Sequence, residues 1–323
     1  EAFLIKPFTA EFVGEYLYRA ARKKINPSAY AAMINESKSL ISKGEYTTAE
    51  QTLAMAKIMY DRPMMAHYYL GEIFQVQKKY EVALDHYDLG LSHNDLHFKC
   101  LSGRFNALVN LGRKQEAFAC LEKISDHFPL TPGLLKQAFI LSITSYHFEE
   151  VETYYNQYLR QPRKTPELKH TVSQALLTAG KILLRERKHT NIALGFFKKG
   201  AIISGRKQPY LSEVINNLIK EGFAQETDNF FGMFDADEIN SQILENSRFK
   251  AFAATMHRHP DQIIERGKKL IFDDIADEEV FVIVCDLLKK HGRFGLLDTI
   301  AYKALEKIPN AKTKFSKYLR ESA

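Results

Sequence analysis

Apolar and small residues recur along this chain at the three- and four-residue spacing of helix faces. Tyr68, Leu70, Gly71 and Phe74 make one such face, and Ala83, Leu84, Tyr87 and Leu91 make the next. Lys78-Lys79-Tyr80 reads as the turn between them. The same figure repeats. Ala49 follows Gly44-Glu45-Tyr46, Ala117 follows Leu111-Gly112-Arg113, and Val151 stands behind Tyr146-His147-Phe148. Positions 49, 83, 117 and 151 are each separated by 34 residues, the length of an antiparallel helix pair. A single pair cannot bury its apolar face alone, so the spacing predicts stacked pairs.

The phase continues beyond residue 160 with weaker signals. Ala193 sits 42 after Val151, with Phe197 and Gly200 behind it, so the extra residues predict a longer helix from about Glu167 to Glu186. Thr227 comes 34 later, with Gly222 at its turn and Phe231 expected at the packing place. Ile263 and Leu297 complete the series, the latter with Gly292 and Phe294 before it and Pro309 closing the unit. The expectation is eight helical pairs over about residues 28–311.

These residues resemble the tetratricopeptide repeat (TPR) family. In the second unit Leu70-Gly71, Tyr80, Ala83 and Tyr87 match its characteristic places; the third keeps Leu108, Gly112, Ala117, Leu121 and Pro129. The first keeps Gly44, Tyr46, Ala49, Leu53 and Ala56, with Pro63 closing it. The resemblance implies an all-α, right-handed superhelical solenoid of about eight helix pairs. Residues 28–163 hold four well-matched units, 164–311 four degenerate ones, and 312–323 a C-terminal cap or tail. It also implies a partner-binding groove on the first helices. That groove comprises Asn35 and Lys38, then Tyr68, Tyr69 and Glu72, then Lys99 and Asn106, then Lys136 and Gln137. Lys99, Asn106 and Lys136 partly resemble the carboxylate-holding set of peptide-binding members, but Ser102 and Gly103 stand where larger polar residues would be.

The opening residues carry a second resemblance. Phe3-Leu4-Ile5-Lys6-Pro7-Phe8-Thr9, followed by an amphipathic helix to about Lys24, is similar to the end of a response-regulator receiver domain. Residues 1–25 would then be its last strand and helix, and Lys6 the lysine that reads the phosphoryl group. The other reading is a strand-like entry into a capping helix. The receiver resemblance implies a fragment of a longer cytoplasmic protein: the output region of a phosphorylation-controlled regulator in two-component signal transduction, part of a phosphorelay. Its expected partners are a histidine kinase or another response regulator.

Composition narrows the field. Hydrophobic residues at 45% exclude a largely disordered chain, and the low Gly (16) and Pro (10) counts, with no Trp, argue against an all-β fold. No run approaches the roughly 18 apolar residues of a membrane span, so no membrane insertion is expected. Cys100, Cys120 and Cys285 form no Cys-x-x-Cys pair and read as thiols in a reducing cytosol. Gly-rich phosphate loops, Gly-x-Ser-x-Gly and His-Glu-x-x-His are missing, so the expectation is no enzyme, no cofactor and no metal. His257 and His259 are two residues apart and do not share a helix face. The acidic runs Asp235–Glu238 and Asp273–Glu279 read as charge at helix N-termini, with Asp235 or Asp277 as caps.

Charge is unevenly spread within a formal total of +6. The tract from Arg160 to Lys207, including Arg163, Lys164, Lys181, Arg185, Arg187 and Lys188, holds 12 Lys+Arg against Glu167 and Glu186. Residues 221–245 hold 7 acidic residues and no Lys or Arg. The two tracts read as solvated faces, as a surface for an acidic partner, or as complementary halves of a homo-oligomer contact. Nucleic acid is a weaker reading, because a pI of 8.9 is mild and no stacking aromatics accompany the basic residues. Three functions compete: a protein-interaction scaffold as regulator output, a nucleic-acid-binding effector using the basic tract, and a TPR assembly factor without signalling input.

Overall fold

The computed structural model describes residues 9–187, 189–234, 240–308, 310 and 312–319. Among these residues the regular structure is helical and no strand occurs. The receiver-like strand expected at residues 1–8, with Lys6, lies outside the described residues. Helix α1 (Ala10–Ile25) precedes the series α2 (Ala29–Lys43), α3 (Tyr46–Ile58), α4 (Met64–Val76), α5 (Tyr80–His93), α6 (Phe98–Asn110), α7 (Lys114–His127), α8 (Pro132–Thr144) and α9 (Phe148–Leu159). Then follow α10 (Pro166–Arg185), α11 (Thr190–Ile203), α12 (Gln208–Lys220), α13 (Asp228–Phe231), α14 (Ser241–Thr255), α15 (Pro260–Phe272), α16 (Glu278–Lys290), α17 (Phe294–Lys307) and α18 (Lys312–Phe315). Two compact units divide the chain, one ending at Leu141 and the other beginning at Ser142. No helix among the described residues is long and apolar enough to cross a membrane.

The turn inside each pair explains the spacing. Seven of the eight turns contain a left-handed residue: Gly44, Lys78, Gly112, Tyr146, Arg187 (with His189), Gly222 and Gly292. At six of them the next residue's N–H reaches back to close the preceding helix, as Glu45 does to the Leu40 carbonyl at 3.0 Å and Lys79 to that of Phe74 at 2.8 Å. Arg113, His147, Phe223 and Arg293 repeat that bond to Leu108, Ser142, Leu218 and Leu288. This is a Schellman closure, which satisfies carbonyls the helix end leaves open. Glycine adopts the left-handed state freely; a side chain there costs about 1–2 kcal/mol.

Packing follows the same phase. Ala49, Ala83, Ala117, Val151 and Ala193 are 0% exposed, and Thr227, Ile263 and Leu297 are at most 2% exposed. In the first unit Ala49, Leu53 and Ala56 of α3 pack with Ala66, Leu70 and Ile73 of α4. The Tyr87 ring fills the space beside Gly71, where an added methyl group would overlap it. Gly103 of α6 faces the same ring, so Tyr87 of α5 occupies a notch made by glycines of two repeats. In the second unit Phe197 lies over Gly180 and Tyr210 over Gly200.

The expected long helix is α10, 20 residues from Pro166, started by Thr165, whose hydroxyl accepts from the Leu168 N–H at 3.3 Å. The sixth pair departs from expectation. Its second member is a 3₁₀ turn over Ala224–Thr227 continued by the four-residue α13. Ala224, Thr227 and Phe230 are the buried residues here, a spacing of three that suits a 3₁₀ turn better than an α-helix. The packing place expected of Phe231 is therefore taken by Phe230, which is 0% exposed, while Phe231 is half-buried beneath the Arg248 guanidinium. At the chain's end Phe315 and Tyr318 are buried, and the Tyr318 hydroxyl donates to Asp286 at 2.6 Å.

Candidate partner-binding face

Tyr68 and Tyr69 are neighbours on α4, and Lys99 lies in the first turn of α6. The Lys99 ammonium stands 5.3 Å from the Tyr68 ring centre and 5.6 Å from that of Tyr69. The two rings meet edge to face at 5.0 Å. Behind them Tyr87, 6.2 Å from Tyr68, donates from its hydroxyl to Gln75 Oε1 at 3.1 Å and lies 3.4 Å from Glu72 Oε1. Burial, reinforced by the Glu72 carboxylate, holds the Tyr68 and Tyr87 phenols well above their ordinary pKa. Both therefore remain neutral donors. No carboxylate pairs with Lys99 among the described residues. The result is a cation held by two π faces on a partly exposed surface.

The structure thus brings together Tyr68, Tyr69, Glu72 and Lys99. Asn35 and Lys38 are exposed on α2. Asn106 lies two turns along α6 from Lys99, with its Oδ1 buried and unbonded among the described residues. On α8, Lys136 is exposed and Gln137 half-buried. Tyr87, Gln75 and Gly103 complete the cluster's support; the sequence marked Tyr87 as a packing residue and none of the three as part of the face. The one signal that could have found them is the pair of glycines at 71 and 103, on the first helices of successive pairs and flanking a tyrosine.

The basic tract distributes over several elements. Arg160, Arg163 and Arg187 are exposed, and Lys188 lies outside the described residues. The Lys164 ammonium donates to the Leu159 and Gln161 carbonyls at 3.0 and 3.1 Å, closing the end of α9. Lys181 pairs with Glu213, Arg185 with Glu221 at 3.8 Å, and Lys199 with Glu152. Of the acidic runs, Asp277 accepts from the Val280 N–H at 3.1 Å as the cap of α16, and Asp274 is held by Lys303 and Lys307. Residues 235–238 lie outside the described residues. All three cysteines are buried, and burial pushes the Cys100 and Cys285 thiols up to about 12, so neither is a thiolate near neutral pH. No group of three or more His, Cys, Asp or Glu among the described residues is arranged to hold a metal.

Repeated Schellman turns, a step of about 34 residues and a buried residue at each place of that phase make this an all-α protein of TPR-like helix pairs. No protein-family model matches the chain, and no curated protein matches it. Solved structures do. A tetratricopeptide repeat protein from Parabacteroides merdae is 16% identical, with 80% of this chain and 97% of that one covered and a TM-score of 0.44. YrrB, described as a TPR protein with an unusual peptide-binding site, is 16% identical over 59% of this chain and 95% of its own, with a TM-score of 0.42. The apo form of the quorum sensor NprR from B. thuringiensis is 14% identical over 90% and 92%, with a TM-score of 0.38.

Proposed function

We propose that this chain is a protein-interaction scaffold that holds a partner on the first-helix face of α4 and α6. The observation that carries the reading is Lys99 seated on Tyr68 and Tyr69 with no carboxylate of its own. Two rings orient the ammonium without neutralising it, so an acidic or polar group of a partner completes the charge. Work at this face is binding and not turnover. The finer reading, from the Phe3–Thr9 run, is a cytoplasmic output region of a response regulator whose partner is a histidine kinase or a second regulator.

Lys99→Met keeps most of the side-chain volume and removes the charge. That variant, and the triple replacement of Tyr68, Asn106 and Lys136 by alanine, should keep the helical circular-dichroism signal. Each should weaken affinity capture of the partner at least tenfold, roughly 1.4 kcal/mol. Unchanged capture by the folded variants would move the partner off this face, and competition by any nucleic acid with steep salt dependence would move it to the basic tract. Acetyl phosphate added to the full-length protein should change capture; no change would remove phosphorylation control.

A further inference from the structure

In the second unit a cleft of about 850 Å³ opens beside the start of α9 and the start of α11. Tyr146 and Phe148 stand in it at right angles, ring centres 6.0 Å apart and planes at 88°. Tyr146 is 59% exposed, so its ring is open to a ligand. Glu149, Glu150 and Glu152 line the same cleft. Lys199 neutralises Glu152, whereas Glu149 and Glu150 have no cationic partner among the described residues. The α9 dipole supplies only about half a positive charge at that end, less than the two carboxylates carry. Leu183, Ile192 and Phe196 make its apolar part, and His147 and His189 complete the lining.

We propose that this cleft binds a short basic peptide segment. A lysine or arginine head group lies against the Tyr146–Phe148 pair, with Glu149 and Glu150 against its charge, and an apolar neighbour rests on Leu183, Ile192 and Phe196. Aromatic faces attract a cation through their quadrupole, and the attraction grows where water is excluded. Size selects a peptide over a free ammonium ion: the volume lies in the range of about 300–1,000 Å³ typical of sites that enclose drug-sized ligands. This site is separate from the α4–α6 face and does not rest on that reading.

The test uses the whole chain with isoleucine methyls labelled, so that Ile192 reports the cleft by NMR. Probes are the acetylated, amidated tripeptide Leu-Arg-Leu, its Leu-Gln-Leu analogue, and tetramethylammonium chloride. The arginine peptide should give a saturable Ile192 shift, and the glutamine peptide should bind at least tenfold more weakly. Tyr146→Gly removes the ring while easing a left-handed backbone, φ 60°, so this variant should fold at least as well and still lose tenfold in affinity. Joint replacement of Glu149 and Glu150 by glutamine should lose as much. Equal binding of the two peptides, full affinity in Tyr146→Gly, or no saturable Ile192 shift at millimolar peptide would overturn the proposal. Tetramethylammonium binding as tightly as the arginine peptide would overturn its peptide part.

Discussion

Tyr87 in the first unit and Tyr210 in the second use the same device. Each ring lies where a glycine on another helix leaves room, Tyr87 over Gly71 and Gly103, Tyr210 over Gly200. They differ at the hydroxyl. Tyr87 reaches Gln75 and Glu72, whereas the buried Tyr210 hydroxyl has no hydrogen-bond partner among the described residues. In the first unit the ring therefore brings both volume and a satisfied polar anchor beneath the candidate binding face. In the second it brings volume at the cost of a desolvated hydroxyl. One packing solution has thus been fitted to two different polar surroundings, and only the first is tied to Tyr68 and Lys99.

The largest expected effect is that of emptying the notch. Tyr87→Ala should cost about 3–5 kcal/mol, read as a shift in the denaturant midpoint. A loss below about 1 kcal/mol would mean the ring is not the keystone of α4, α5 and α6. Filling the notch from the other side comes next. Gly103→Ala should cost about 1–3 kcal/mol because the fully buried Tyr87 ring has nowhere to retreat, and Gly180→Ala against Phe197 should behave alike.

Acid should strain the first unit by a route tied to the same helices. His67, His86 and His93 cluster on α4 and α5, with ring centres 5.8 and 6.0 Å from His67. Burial first, then Lys57, His86 and His93, lower the His67 pKa from 6.5 to about 4. His86 is also lowered, by burial and Lys57, with Asp85 opposing. The folded state thus favours neutral His67 and His86, while the unfolded chain takes up protons below about pH 6.5. Stability is full above that value and is lost as the pH falls toward 4, by about 1–2 kcal/mol once solvent screening is allowed for. His67→Gln should flatten the profile of midpoint against pH; an unchanged slope would place the titration elsewhere.

The smallest effects bear most directly on the comparison. Tyr87→Phe should cost about 1 kcal/mol, because Gln75 and Glu72 lose a donor. Tyr210→Phe should cost nothing or stabilise slightly, since it removes an unpaired buried hydroxyl. Equal losses in the two variants would show that Tyr210 does find a partner in solution.

Local requirements were legible without the structure. A left-handed turn favours glycine, so Gly44, Gly112, Gly222 and Gly292 mark the helix-to-helix turns by residue type alone. Close crossings admit only small or well-fitted side chains, so the alanines and their successors at the same phase carry the repeat, and the added residues before Ala193 announce α10. What belongs to one helix face can be read by periodicity. The candidate face was legible only in part: Tyr68, Tyr69, Glu72 and Lys99 were selected by place in the repeat, without any sign that the ammonium would settle on both rings.

The tertiary structure decided everything that joins one repeat to another. Gly103 read as a missing polar residue until the Tyr87 ring was found against it. Lys181, Arg185 and Lys199 read as one basic tract, yet their carboxylate partners stand at Glu213, Glu221 and Glu152, 32 to 47 residues away in sequence. The sixth pair was assigned a second helix, although its buried residues recur every three positions. Periodicity specifies which side of a helix is buried; which neighbour meets it depends on how the pairs stack, and the partners of long side chains follow from that stacking.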